Sequence, residues 1–382
     1  MSEVITLLSQ LVRIDSVNPS LSDGGAGESQ AADFVGEWFQ TRGFDVTRLE
    51  STSGRPSIVA VAKGTGGGKT LMFNGHLDTV SVESYDGDPF DPKLADGWLY
   101  GRGSADMKSG VAAMMIAASR AAQSGLAGDI IVTCVADEEH ASLGTQEVIA
   151  AGYHADAAVV PEPVGHKIVA AHKGFIWFDL VFEGVAAHGS NPDKGVDAIV
   201  KAGKFLVALE NYAAELAQQA VHPLVGVPSV HASLIKGGVE MSSYPAQCKL
   251  SIERRTLPRE TPDEVEAEIE QLLNNLGSAD PAFKATLKRG LVRLPYECVQ
   301  GAEIIDVATR SILNATGRPA EIAGMNGWTD CALLGEAGIP AILVGPEGRG
   351  GHSKCESVSI QSVETLTDIL FQIATDFCAT EA

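Results

Sequence analysis

Val4, Leu7, Leu8, Leu11 and Val12 recur at three- and four-residue steps, which predicts an amphipathic helix over 3–17, stopped by Asn18-Pro19. A second helix is expected over 29–42, closing at Gly43, and strands at 44–49 and 57–62. Leu71-Met-Phe-Asn-Gly-His-Leu77 is short and apolar, as a strand buried on both faces should be. Helices over 107–123 and 143–151 then alternate with strands over 129–135 and 156–160. That alternation predicts an α/β domain with a mostly parallel sheet. From about 175 the texture changes. Phe175–Glu183 alternates with period two, and a helix (195–219), strands (229–236, 247–254), a charged helix (262–276) and a strand (282–288) follow. This order predicts a smaller α+β sandwich over 175–290, inserted into an α/β domain made of 1–174 plus 291–382. Helices over 301–316 and 359–378 and a strand over 340–345 complete that domain.

Composition narrows the class. The 382 residues are 45% hydrophobic and 20% charged, with a net charge of −21, so the chain is globular rather than disordered. A surface that acidic disfavours nucleic acid and anionic membranes as partners. No apolar run approaches the roughly 18 residues of a membrane span, and the N-terminus lacks a basic leader and cleavage site, so a cytoplasmic protein is expected. Six scattered cysteines without a C-x-x-C argue against a disulfide framework and a cysteine-type zinc site. They are expected to be buried small hydrophobes. Gly64-Thr-Gly-Gly-Gly-Lys-Thr70 looks like a phosphate-binding loop, but Lys63 stands where its first glycine is required and an apolar strand follows instead of a helix.

Candidate chemistry lies where strands end. His76 and Asp78 are two residues apart, so strand geometry turns both to one side and lets a carboxylate orient a metal-binding imidazole. Alone, such a pair is usually ordinary structure. Asp106 precedes a helix, where an aspartate is usually an N-cap. Glu138-Glu139 follow an apolar strand, Glu162 lies between two prolines, and His352 lies in a glycine-rich loop. Their common placement matters, because loops at the carboxyl ends of strands in such a sheet converge on one crevice. Two histidines with several carboxylates suit zinc, manganese or cobalt.

The motifs His76-Leu-Asp78-Thr-Val, Leu99-Tyr-Gly-Arg-Gly-Ser-Ala-Asp106-Met-Lys and Asp137-Glu138-Glu139 resemble the acetylornithine deacetylase/succinyl-diaminopimelate desuccinylase family, which includes aminoacylases and glutamate-releasing carboxypeptidases. The likeness continues through Glu162-Pro, Ala187-His188-Gly-Ser-Asn-Pro, Arg254-Arg-Thr-Leu-Pro258, Trp328-Thr-Asp330 and Gly351-His352 to Glu356. The resemblance implies a catalytic α/β domain interrupted by a lid that usually dimerises, and two divalent ions, zinc foremost. It implies one ion on His76, Asp106 and Glu162 and the other on Asp106, Glu139 and His352, with Asp106 bridging. Glu138 would be the general base and Asp78 would buttress His76. His188 would stabilise the oxyanion, often from the partner protomer, and Arg255 rather than Arg254 would bind a substrate carboxylate. The chain departs from the pattern at Ser242-Ser-Tyr244, where many members carry an asparagine that helps hold the substrate.

The expected activity is hydrolysis of the amide bond of a small N-acyl amino acid by a metal-activated water. A metallo-carboxypeptidase or dipeptidase is the alternative within the same chemistry, and a non-catalytic metal- or ligand-binding protein the alternative outside it. The presence of Glu138 with all five ligands weighs against the latter. No G-x-S-x-G elbow supports a serine hydrolase.

Overall fold

A computed structural model describes residues 1–379. The chain divides into two compact units, one of residues 1–170, 298–323 and 329 onward, the other of 171–297 and 324–328.

The first unit is built on a sheet whose middle strands are parallel. Leu71–His76 runs between Ile130–Val135 and Ala157–Val160, and Ala341–Leu343 extends the parallel set. Ser57–Ala62 and Asp45–Leu49 add an antiparallel flank beyond Ile130–Val135. Every residue of Leu71–His76 and Ile130–Val135 is buried, so the sheet is covered on both faces, the condition under which parallel strands are stable. Helices Glu3–Val12, Lys108–Gln123, Glu303–Thr316 and Ile360–Phe377 pack on one another to provide part of that cover. Lys108 is buried with them, and its Nζ donates to the carbonyls of Leu11 and Ile14 at 3.1 and 2.7 Å. A cation there satisfies carbonyls at the end of the first helix, which stops at Val12, short of the predicted 17.

Two- and three-residue strands are too short to leave a period in the sequence, and four of them form a separate antiparallel sheet. Its order is Gly348–Arg349, Ser357–Ser359, Trp98–Tyr100, Lys93–Ala95. Pairing of Ser357 with Tyr100 sets the loop that ends at Asp106 beside the loop that carries His352.

The second unit has an antiparallel sheet in the order Ser229–Gly237, Gln247–Thr256, Gly174–Glu183, Lys284–Arg293. Strict alternation sends Ile176, Phe178, Leu180 and Phe182 into a core shared with Phe205 and Leu209 of helix Ala198–Leu216 and Ile269 of helix Pro262–Ala279. The latter helix starts in a capping box between Thr261 and Glu264 with Pro262 in its first turn. Five cysteines are buried as expected; Cys355 is exposed.

Candidate metal centre

Each candidate ligand of the first unit is set by the backbone that precedes it. His76 is the last residue of its strand and is buried. Its Nδ1 faces the main-chain carbonyl of Asp78 at 2.9 Å. A carbonyl only accepts, so the proton sits on Nδ1 and the Nε2 lone pair points inward. The Asp78 carboxylate is farther from the ring, at 3.7 Å. It accepts instead from the N–H groups of Glu138 and Glu139 at 3.1 and 3.2 Å and from Asn18 Nδ2 at 2.8 Å. The side chain expected to orient the imidazole therefore holds the next loop, and the backbone orients the ring.

Asp106 is not a helix cap; the helix Lys108–Gln123 has Met107 at its N-cap and no side-chain cap. Its loop is wound around Glu356, fully buried, whose carboxylate accepts from the N–H groups of Gly103, Ala105 and Asp106 and from Arg102 Nη1 at 2.7–3.0 Å. Glu162 is fixed by close backbone approach. A Cβ on Gly110 would lie 2.1 Å from the Pro161 oxygen, and one on Gly345 1.7 Å from the Glu162 oxygen, so only glycine fits at either place.

These loops converge. His76 Nε2 lies 3.2 Å from Asp106 Oδ1 and 3.6 Å from Glu162 Oε1. His352 Nε2 lies 3.4 Å from Asp106 Oδ2 and 3.0 Å from Glu139 Oε2. Asp106 thus turns one oxygen to each imidazole. Two ligands held about 2.0–2.1 Å from a tetrahedral zinc ion are about 3.3 Å apart, and the four separations bracket that value. His76, Asp106 and Glu139 alone already form a group of possible metal donors. Glu138 Oε2, 4.0 Å from His76 Nε2, faces the same space at more than a ligand spacing.

The electrostatics agree with a site made for cations. Burial first, then the charges of Asp330, Glu162 and Glu139, pushes the Glu138 carboxyl well above the usual range. Burial and Asp106 push Glu162 well up and Glu139 to about 7. Hydrogen bonds to Asp106 and Glu139 raise His352 to about 10. Carboxyls and imidazoles so arranged hold on to protons unless other positive charge replaces them, and divalent ions supply it. Donor type, spacing and charge all fit metal ions.

Asn18, Arg102, Glu356 and Asp330 have no role at the site in the sequence reading, although the last three lie in quoted motifs. Asp330 is buried, accepts from Thr145 Oγ1 at 2.6 Å, and is pushed up to about 6 by burial. Glu356 lies about 250 positions from the loop it holds, beyond the reach of any local pattern.

His188 and Arg255 belong to the second unit. His188 is exposed, with Nδ1 2.7 Å from Ser190 Oγ, and its backbone bridges Ser243, within the stretch that departs from the family pattern. Strand alternation turns Arg254 and Arg255 to opposite faces. Arg254 is buried against Tyr212 and Glu260. Arg255 is partly exposed, pairs with Glu253 at 2.8 Å, and lies 5.2 Å from the centre of the Phe175 ring.

Comparison with known proteins accords with this geometry. The family model described as Peptidase family M20/M25/M40 matches residues 72–376. An N-formyl-4-amino-5-aminomethyl-2-methylpyrimidine deformylase of Bacillus subtilis is 28% identical, over 99% of this chain and 95% of its own. An acetylornithine deacetylase of Myxococcus xanthus is also 28% identical, over 97% and 96%. A tripeptidase from Staphylococcus aureus has the same fold, with a TM-score of 0.82 at 20% identity and 98% of each chain covered. The chain belongs to peptidase family M20/M25/M40 and is a hydrolase of amide or peptide bonds.

Proposed function

We propose that this hydrolase removes the acyl group from an N-acyl amino acid, as the name acetylornithine deacetylase states for its Myxococcus xanthus relative, with two divalent ions, zinc foremost and cobalt or manganese as substitutes. The observation that carries this reading is Asp106, whose two oxygens face His76 and His352 at 3.2 and 3.4 Å. His76, Asp106 and Glu162 would hold one ion, and Asp106, Glu139 and His352 the other. When bound, the ions polarise the scissile carbonyl and acidify the attacking water. Glu138 removes the proton of that water and delivers it to the leaving nitrogen as the carbon–nitrogen bond breaks. Glu138 Oε2, 4.0 Å from His76 Nε2, faces the space shared by the proposed ligands, where it can carry that proton between the two steps. His188 is assigned to the oxyanion and Arg255 to the substrate carboxylate, for which its fork is suited.

The second unit, residues 171–297 and 324–328, is assigned as lid and dimerisation domain. In support, Ser229–Gly237 is an edge strand with Leu234 and Ile235 71% and 56% exposed. An apolar edge of this kind invites pairing with a second copy. A cytoplasmic location fits six cysteines that form no disulfide among the described residues.

The test is release of free amine from N-formyl, N-acetyl, N-succinyl and N-aromatic-acyl amino acids by protein reconstituted with zinc or cobalt. Turnover of at least one, lost on amidating its carboxylate, is expected. Turnover of dipeptides with none of the acyl amino acids would replace the deacylase reading by a dipeptidase.

A further inference from the structure

Below the Glu138-Glu139 turn lies a buried charged network that the reaction as proposed does not use. Arg55, 7% exposed, donates from Nε and Nη2 to the two oxygens of Glu28, both at 2.7 Å, and from Nη2 to Asp137 Oδ1 at 2.8 Å. Asn18 Nδ2 joins the same Asp137 oxygen, at 3.0 Å, to Asp78 Oδ2, at 2.8 Å. Asp137 N–H donates back to Glu28 Oε1 at 3.2 Å. Asp137 itself has φ of 69°, a left-handed conformation that aspartate adopts more readily than most non-glycine residues. That reversal, two residues beyond strand Ile130–Val135, aims the next two N–H groups at Asp78.

We propose that Arg55, through Glu28 and Asp137, is a positioning residue that locks the Glu138-Glu139 turn in its reactive geometry. The inference rests on the two-metal reading, since it takes Glu138 as base and Glu139 as ligand of one ion. The fork is what matters. It meets both Glu28 oxygens and Asp137 at once, and an ammonium of the same charge has no such planar set of donors. A buried guanidinium that donates to Glu28, to Asp137 and, at 3.2 Å, to Ser20 Oγ fixes its partners far better than a solvated pair. Only Glu139 of the five ligands leaves this turn, so loosening it should weaken one ion and spare the other.

The experiment compares wild type, Arg55→Lys, Arg55→Met and Glu138→Gln. Zinc and cobalt titrations of the metal-free proteins are read by competition with a chelating dye and by the cobalt absorption spectrum. Arg55→Met should bind one equivalent as tightly as wild type and the second about 10–100-fold more weakly. With both sites saturated, its kcat should fall about 10–100-fold at little changed KM, with Arg55→Lys in between. The same substitution in the Glu138→Gln background should change kcat less than about threefold, because the base it positions is already gone. If Arg55→Met does not fold, Asn18→Ala carries the same comparison, since it cuts the link to Asp78 and leaves the Arg55–Glu28 pair intact. Equal loss at both metal sites, no loss at either, or penalties that multiply in the double variant would overturn the positioning role. A wild type binding fewer than two ions would instead sink the two-metal reading, and Glu138→Gln with normal turnover would remove Glu138 as the base.

Discussion

Glu138 and Glu139 are neighbours with the same side chain, yet the fold gives them different tasks. Glu139 lies 3.0 Å from His352 Nε2, a ligand spacing, whereas Glu138 Oε2 lies 4.0 Å from His76 Nε2. Substituting Glu138 by glutamine keeps size and hydrogen bonding but removes the ability to take a proton. We expect kcat to fall by about two to four orders of magnitude, with metal content unchanged on the same preparation. Near-normal turnover would remove Glu138 as the base. His352 carries the opposite lesson. It is 55% exposed and has φ of 61°, so neither burial nor regular structure marks it; only its two carboxylate neighbours do.

Elements act here through the surfaces that their glycines and ends leave open. Helix Lys108–Gln123 presents Gly110 to the Pro161 carbonyl, and a methyl group there would meet backbone that cannot rotate away. Gly110→Ala should therefore destabilise by about 1–3 kcal/mol and displace Glu162, seen as a lower melting temperature together with weaker metal binding. An unchanged melting temperature would show that the helix simply shifts. In the second unit, Asp280 ends helix Pro262–Ala279 and accepts from Lys201 and Lys204 of the neighbouring helix, both at 2.7 Å. Those two ammonium groups hold its carboxyl well below the usual range. A carboxyl depressed in the folded state stabilises above its unfolded pKa of about 4, and that contribution is lost as pH falls through the folded value. Asp280→Asn should accordingly melt below wild type at pH 7, with a gap that narrows steadily below about pH 4. A gap independent of pH would assign the effect to packing rather than charge.

For the molecule as a whole, the two units divide the work proposed for it, with the metal ligands and base in one and His188 and Arg255 in the other. If each protomer borrows His188 from its partner, two inactive variants can complement. His188→Ala alone should lower kcat about 10²–10³-fold with metal content unchanged. Mixed with Glu138→Gln and allowed to exchange subunits, it should recover about a quarter of wild-type activity. Half of the dimers are then mixed, and each has one complete site. Heterodimers shown to form without any recovery would place His188 in its own protomer's site or outside the chemistry. Leu234→Asp, on the exposed edge strand, should give a monomer of unchanged helix content by sedimentation and circular dichroism.

The sequence by itself determined the fold class and the family, because long periodic segments and short motifs are local properties of the chain. The buried strand at 71–76, the alternating strand at 174–183 and the helix at 360–377 could be read within a residue or two of their ends. It also determined the identity of the candidate ligands, since each sits in a recognisable stretch where a strand or loop ends. The tertiary structure alone decided what those residues do to one another. Asp78 stands two residues from His76, yet its carboxylate serves Glu138 and Glu139, sixty positions on. Glu356 holds Asp106 from 250 positions away, and Arg55 reaches Asp137 across 82. Such partners meet only when separate strands deliver their loops to one edge of the sheet. A buried polar group must then find whatever complement the fold brings within about 3 Å, wherever in the chain it comes from.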